Sequence, residues 1–125
     1  LHQRFFQMLG FHRIARAHPL QKFKPSIGSG FIVGVVGQLQ FEVLASRIEM
    51  EYGLPVRFEA SQFTSARWVH GDKAAVDKFT NANKQHIAHD NDGDVVYLTR
   101  LQWDIDRVER DYPDLKLSST KEMMV

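Results

Sequence analysis

At 125 residues, 43% hydrophobic and 25% charged, the chain suits one globular domain built around one core. That usage excludes a disordered or collagen-like chain, and no run approaches the roughly 18 apolar residues of a membrane helix. With no cysteine, disulfides, thiolate metal sites and cysteine nucleophiles are out, and a reducing compartment fits. The first residue is Leu1 rather than Met, with no basic-then-apolar leader, so the chain reads as a segment of something longer.

Charge is balanced overall but unevenly placed. Residues 1–41 hold Arg4, Arg13, Arg16, Lys22 and Lys24 and no acid, a formal +5. The other 11 basic and all 15 acidic residues leave the remainder at −4. A basic arm of this kind can meet a polyanion, or can simply be a solvated surface segment.

In chain order, Leu1–Leu9 carries Phe5, Phe6, Met8 and Leu9 and predicts a short helix closed by Gly10. The stretch to Pro25, interrupted by His18-Pro19, reads as a connector or edge strand. Ser26 to Gly30 is a turn, and the β-branched run Phe31–Val36 predicts a buried strand. After Gly37, apolar residues Phe41, Leu44, Ala45, Ile48 and Tyr52 fall on one helical stripe. Gly53 is placed to end that helix in the left-handed conformation. Val56–Ala60 and Ala66–His70 alternate with period two and predict an antiparallel hairpin. Asp72 would cap a helix whose apolar face is Val76, Phe79, Asn83, His86 and Ile87. A turn at Asp90–Asp94 leads to a strand over Val95–Leu98. A last helix, Trp103–Tyr112, turns Ile105 and Val108 inward and stops before Pro113. Leu115 and Leu117 suit a short final strand.

Two split strand–helix–strand units in this order imply an α+β, ferredoxin-like fold. Its antiparallel sheet would carry the helices on one face, with an appended C-terminal helix. Residues 1–24 then form a basic N-terminal connector with a short helix, and residues 25–125 the α+β domain.

Few residues suggest chemistry. Gly28, Gly30, Gly34 and Gly37 lack the strand-to-helix spacing of a dinucleotide loop, and no Gly-Lys-Ser/Thr occurs. Asp90, Asp92 and Asp94 alternate like a calcium loop, but the glycine comes fourth and the twelfth residue is Leu101 rather than Glu. His86 and His89 have a metal-compatible spacing but too few companion ligands. His70 lacks a nucleophile motif nearby. Trp68, Phe58 and Phe63 suit packing under helices better than an RNA-stacking platform, because no basic-Gly-aromatic string accompanies them. The expectation is therefore no catalytic, cofactor-binding or metal-binding residue.

Four strings carry a resemblance. Val35-Val36-Gly37-Gln38-Leu39-Gln40-Phe41-Glu42-Val43-Leu44, running on to Glu51-Tyr52-Gly53, is similar to the region after the second domain of translational GTPases. Elongation factors of that superfamily tend to have Gly-Glu-Leu-His-Leu there. Gly37-Gln38-Leu39-Gln40-Phe41 instead resembles peptide-chain release factor three. Ala66-Arg67-Trp68-Val69, Arg110-Asp111-Tyr112-Pro113-Asp114 and Thr120-Lys121-Glu122 point the same way. The likeness spans residues 23–122, and Gly10 to Pro19 departs from the family's usual pattern.

The resemblance implies a C-terminal domain without catalytic residues, cofactor or metal, following a GTPase domain and a β-barrel in the same chain. It further implies that the parent protein uses GTP/GDP and magnesium upstream and acts in the cytoplasm. There it would bind the ribosome through small-subunit protein and rRNA, as a monomer, and help class-one release factors dissociate after peptide release. Arg13, Arg16, Lys22 and Lys24 are the expected ribosome contacts. The alternatives are the equivalent domain of an elongation or ribosomal-protection factor, a stand-alone ligand-binding α+β module, and an enzyme using His70, His86 or His89.

Overall fold

The computed structural model describes residues 4–9, 22–27, 31–35, 43, 46, 47, 49–51, 53 and 57–119. Eight strands are seen: β1 (Arg4–Leu9), β2 (Lys22–Pro25), β3 (Phe31–Val35), β4 (Arg57–Ala60), β5 (Ser65–His70), β6 (Ile87–His89), β7 (Val95–Thr99) and β8 (Lys116–Ser118). They form one sheet in the order β4-β1-β3-β2-β6-β7-β5-β8, and each pairing is antiparallel. Helices α1 (Lys73–Ala82) and α2 (Gln102–Asp111) complete the α+β architecture that the sequence implies.

The β5–β7 half of the sheet is buried on both faces, and side-chain alternation explains how. Val69, Ile87 and Tyr97 point to one face, where they meet Phe79 of α1 and Val108 of α2. Both helices thus share one face, as expected for this class. Phe79 is fully buried, its ring edge-on to Tyr97 at 5.3 Å and to Tyr112 at 5.1 Å. Burying such a ring contributes about 1.5–3 kcal/mol. Ala66, Trp68, Ala88, Val96 and Leu98 point to the opposite face and pack with Phe23, Ile32 and Phe63.

Ile105 and Val108 are buried as their spacing requires, at 1% and 2% exposure. The first helical segment shows its outer side. Val43, Ser46, Arg47, Glu49, Met50 and Glu51 are helical and exposed, the complement of the predicted apolar stripe. That stripe itself lies outside the described residues. Gly53, with φ +66°, closes the segment by donating its N–H to the Glu49 carbonyl at 2.8 Å.

Four expectations are corrected. The helix predicted within Leu1–Leu9 is strand β1, held on both sides by β3 and β4. A short apolar run fits either period, and here the partners decide. Of the two readings offered up to Pro25, connector or edge strand, the described part is the strand β2, but it lies between β3 and β6 rather than at an edge. The predicted hairpin is also absent among the described residues: β4 pairs with β1, whereas β5 pairs with β7 and β8. Its linking segment is drawn away by Thr64, whose N–H bonds the Thr99 carbonyl and whose hydroxyl bonds that of Arg100. Helix α1 stops at Ala82, because the Asn83 side-chain amide donates to the Phe79 carbonyl at 2.9 Å. A 3-10 turn over Lys84–His86 and strand β6 then replace the predicted last turn. Asp72 sits at the N-cap as predicted, with no side-chain capping bond among the described residues.

Candidate functional site

Of the expected ribosome-contacting residues, Arg13 and Arg16 lie outside the described residues. Lys22 enters β2 opposite Val33. Lys24, exposed, pairs in register with the exposed His89 of β6. This places at least one cation of the basic arm at the outer surface where β2 meets β6.

The histidines go separate ways. His86 holds its Nδ1 3.1 Å from the Leu98 carbonyl, which requires the proton on that nitrogen. Its ring packs against Phe63 and Tyr97, with centroids 6.0 and 5.9 Å away. His70 is exposed at the end of β5, opposite Lys116. His86 thus packs, whereas His70 and His89 stand exposed at strand ends within the sheet, on different strands.

Carboxylate oxygens of Asp90, Asp92 and Asp94 lie within 4.8 Å of one another. Asp90 organises this turn. Its Oδ1 accepts the N–H groups of Asp92 and Asp94, each at 2.9 Å, and its Oδ2 accepts the Trp68 indole N–H at 2.9 Å. Gly93, with φ +86°, supplies the left-handed residue the turn needs. Trp68 and Phe63 are buried core residues, but on the face away from α1 and α2, so the expected packing under the helices is corrected; the Phe58 side chain lies outside the described residues. Gly34 belongs to β3 opposite Phe5. Gly28, Gly30 and Gly37 lie outside the described residues.

A polar cluster joins β7 to α2. The buried Thr99 hydroxyl donates to Asp104 Oδ2 at 2.8 Å and accepts the Leu101 N–H at 3.3 Å. Burial, reinforced by the Asp104 charge, raises the Tyr97 phenol above its ordinary pKa, while Arg107 pulls it back. Beside this cluster a cleft of about 240 Å³ opens between α1 and α2, lined by Lys78, Asn83, Arg107, Val108, Asp111 and Tyr112. The sequence reading missed it. Its lining comes from two helices far apart in the chain, so no local pattern announces it.

The described frame is thus an α+β sheet with two helices on one face, Lys24 and His89 exposed side by side where β2 meets β6, and His86 packed between Phe63 and Tyr97. The chain matches the family model described as class II release factor RF3, C-terminal domain, over residues 8–109. It belongs to that family, whose members act in translation termination and whose C-terminal domain is not itself catalytic. The match begins at residue 8 and so includes Gly10 to Pro19, which the motif comparison set apart. No helix among the described residues is long and apolar enough to cross a membrane.

Proposed function

We propose that this chain is the ribosome-binding domain of a cytoplasmic translation-termination GTPase that promotes release of class-one release factors after peptide hydrolysis. The family match over residues 8–109 carries the reading. GTP and magnesium bind upstream, in a domain joined to this one through a β-barrel. This domain meets small-subunit protein and rRNA, and the acid-free segment with Arg13, Arg16, Lys22 and Lys24 leads the contact.

The test belongs in the full-length factor. Arg13, Arg16, Lys22 and Lys24 are reversed to Glu, and ribosome binding is measured across salt beside nucleotide affinity. Weaker and less salt-sensitive ribosome binding is expected, with the log–log slope flattened by about 0.7–0.9 per lost phosphate contact. Nucleotide affinity stays intact. Unchanged ribosome binding would assign the arm to packing between domains.

A further inference from the structure

The outward side of α2 presents two large apolar side chains to solvent. Trp103 is 61% exposed, and Leu101, at the N-cap, is 57% exposed. Ile105 and Val108 anchor the other side of the helix in the core, so the exposed indole stands on a well-seated element.

Helix geometry distributes charge around that ring. Residues three and four ahead fall on opposite flanks of a helical side chain. Arg107, four ahead, brings its guanidinium carbon to 5.6 Å from the indole centroid. Asp106, three ahead, and Glu109 lie on the other flank, and both are exposed. Arg110 shares the outer stripe but donates its Nε to Asp111 Oδ1 at 3.4 Å, and Asp106 Oδ1 accepts the neutral Gln102 amide at 3.3 Å. Among the described residues no cation meets Asp106 or Glu109. One flank of the exposed indole is therefore left with two uncompensated carboxylates.

That combination selects a partner. With four acids against two arginines, α2 repels a polyanion, which makes RNA the wrong class for this face. An arginine of another protein fits it. The guanidinium is weakly hydrated, stacks on an aromatic face and pairs with a carboxylate, while its aliphatic stem covers apolar surface. Trp and Arg are also the side chains that most often dominate the energetics of protein interfaces.

We propose that the outer face of α2, with Trp103, Leu101, Asp106 and Glu109, docks an arginine-bearing basic protein segment of the ribosome. An arginine of that segment stacks on Trp103 and sets its charge against Asp106 or Glu109. This rests on the ribosome-binding reading and divides that contact by charge: the acid-free arm meets RNA, and α2 meets protein.

The test uses the full-length factor with Trp103 replaced by p-benzoylphenylalanine. The ribosome-bound factor is irradiated, and the cross-linked partner is identified by mass spectrometry. A cross-link to an arginine-rich segment of a ribosomal protein is expected. Trp103→Ala should weaken ribosome binding about fivefold. Asp106→Lys combined with Glu109→Lys should slow association about tenfold at low salt and little at high salt, with nucleotide affinity unchanged. A cross-link to rRNA, to the factor's own upstream domains or to a class-one release factor would overturn the proposal. So would ribosome binding indifferent to all three substitutions, or a bound factor that gives no cross-link; either outcome leaves the ribosomal reading standing. A factor that binds no ribosome even unaltered sinks that reading, and this contact with it.

Discussion

The Trp68 indole N–H donates to Asp90 Oδ2 at 2.9 Å, tying the core face of β5 to the turn between β6 and β7. The ring that makes this bond is 6% exposed and stands edge-on to the Phe23 ring, 6.0 Å between centroids. One aromatic residue thereby joins strands β2 and β5, which are not neighbours in the sheet, and its polar end is satisfied by the turn. The same carboxylate folds that turn from within, through the N–H groups of Asp92 and Asp94.

Asp90→Ala should therefore cost about 1–3 kcal/mol, because it leaves the buried indole N–H unpaired and loosens the turn. Urea denaturation checks this. Millimolar calcium should leave the unfolding midpoint of the unaltered chain in place, since a cation would compete with those N–H donors for the same oxygens. A midpoint that rises with calcium would make the acidic turn a metal site after all.

Gly71 meets the segment that leads into β8. A Cβ added there would lie 2.9 Å from Leu115 Cδ2 and 3.1 Å from the Asp114 carbonyl oxygen. Gly71→Ala should destabilise by about 1–3 kcal/mol through overpacking. Leu115→Ala removes the nearer atom but not the carbonyl. A double-mutant cycle should therefore show the cost of Gly71→Ala reduced, yet still present, in that background.

The two aromatic contacts of Phe79 make it the centre of the helix-bearing face. Phe79→Ala should cost about 3–5 kcal/mol. Met50, 81% exposed on the outer side of the first helical segment, should tolerate alanine within about 0.5 kcal/mol. Equal shifts in denaturant midpoint would mean that the helical phases are misassigned.

Residue patterning announced the elements that have strong local signals. The period of Ile105 and Val108 placed α2, the alternation of Ala66–His70 placed β5 to within a residue, and Gly53 marked a left-handed helix end, while the Asp90–Asp94 tract marked the turn that holds Gly93. Pairing was less legible, since a strand's alternation says which face it buries and nothing of its neighbour. Hence β4 and β5 read as a hairpin, although β1 and β7 are their partners. Phe5 and Phe6 suit a helix or a strand over so short a run, and only the flanking strands decide. The cleft was hidden for a related reason. Lys78 and Arg107 are 29 positions apart in the chain, and the packing of α1 beside α2 brings them to one lining.

Tyr97 gives the fold an alkaline limit. Its phenol is buried, and that burial, followed by the negative charge of Asp104, raises its pKa in the folded chain, with Arg107 opposing. In the unfolded chain the phenol ionises near the ordinary value of about 10. The folded state therefore holds this proton to higher pH than the unfolded state does. Between the two pKa values the unfolded chain binds fewer protons, so stability falls as pH rises. Below about pH 10 the contribution is fully present, and it is lost as pH climbs through the folded pKa. Urea midpoints at about pH 8 and about pH 11 should fall further for the unaltered chain than for Tyr97→Phe, which has no proton to lose. Arg107→Gln should steepen the loss, because it removes the cation that holds the phenol's pKa down. Equal alkaline losses in Tyr97→Phe and the unaltered chain would place the sensitive group elsewhere.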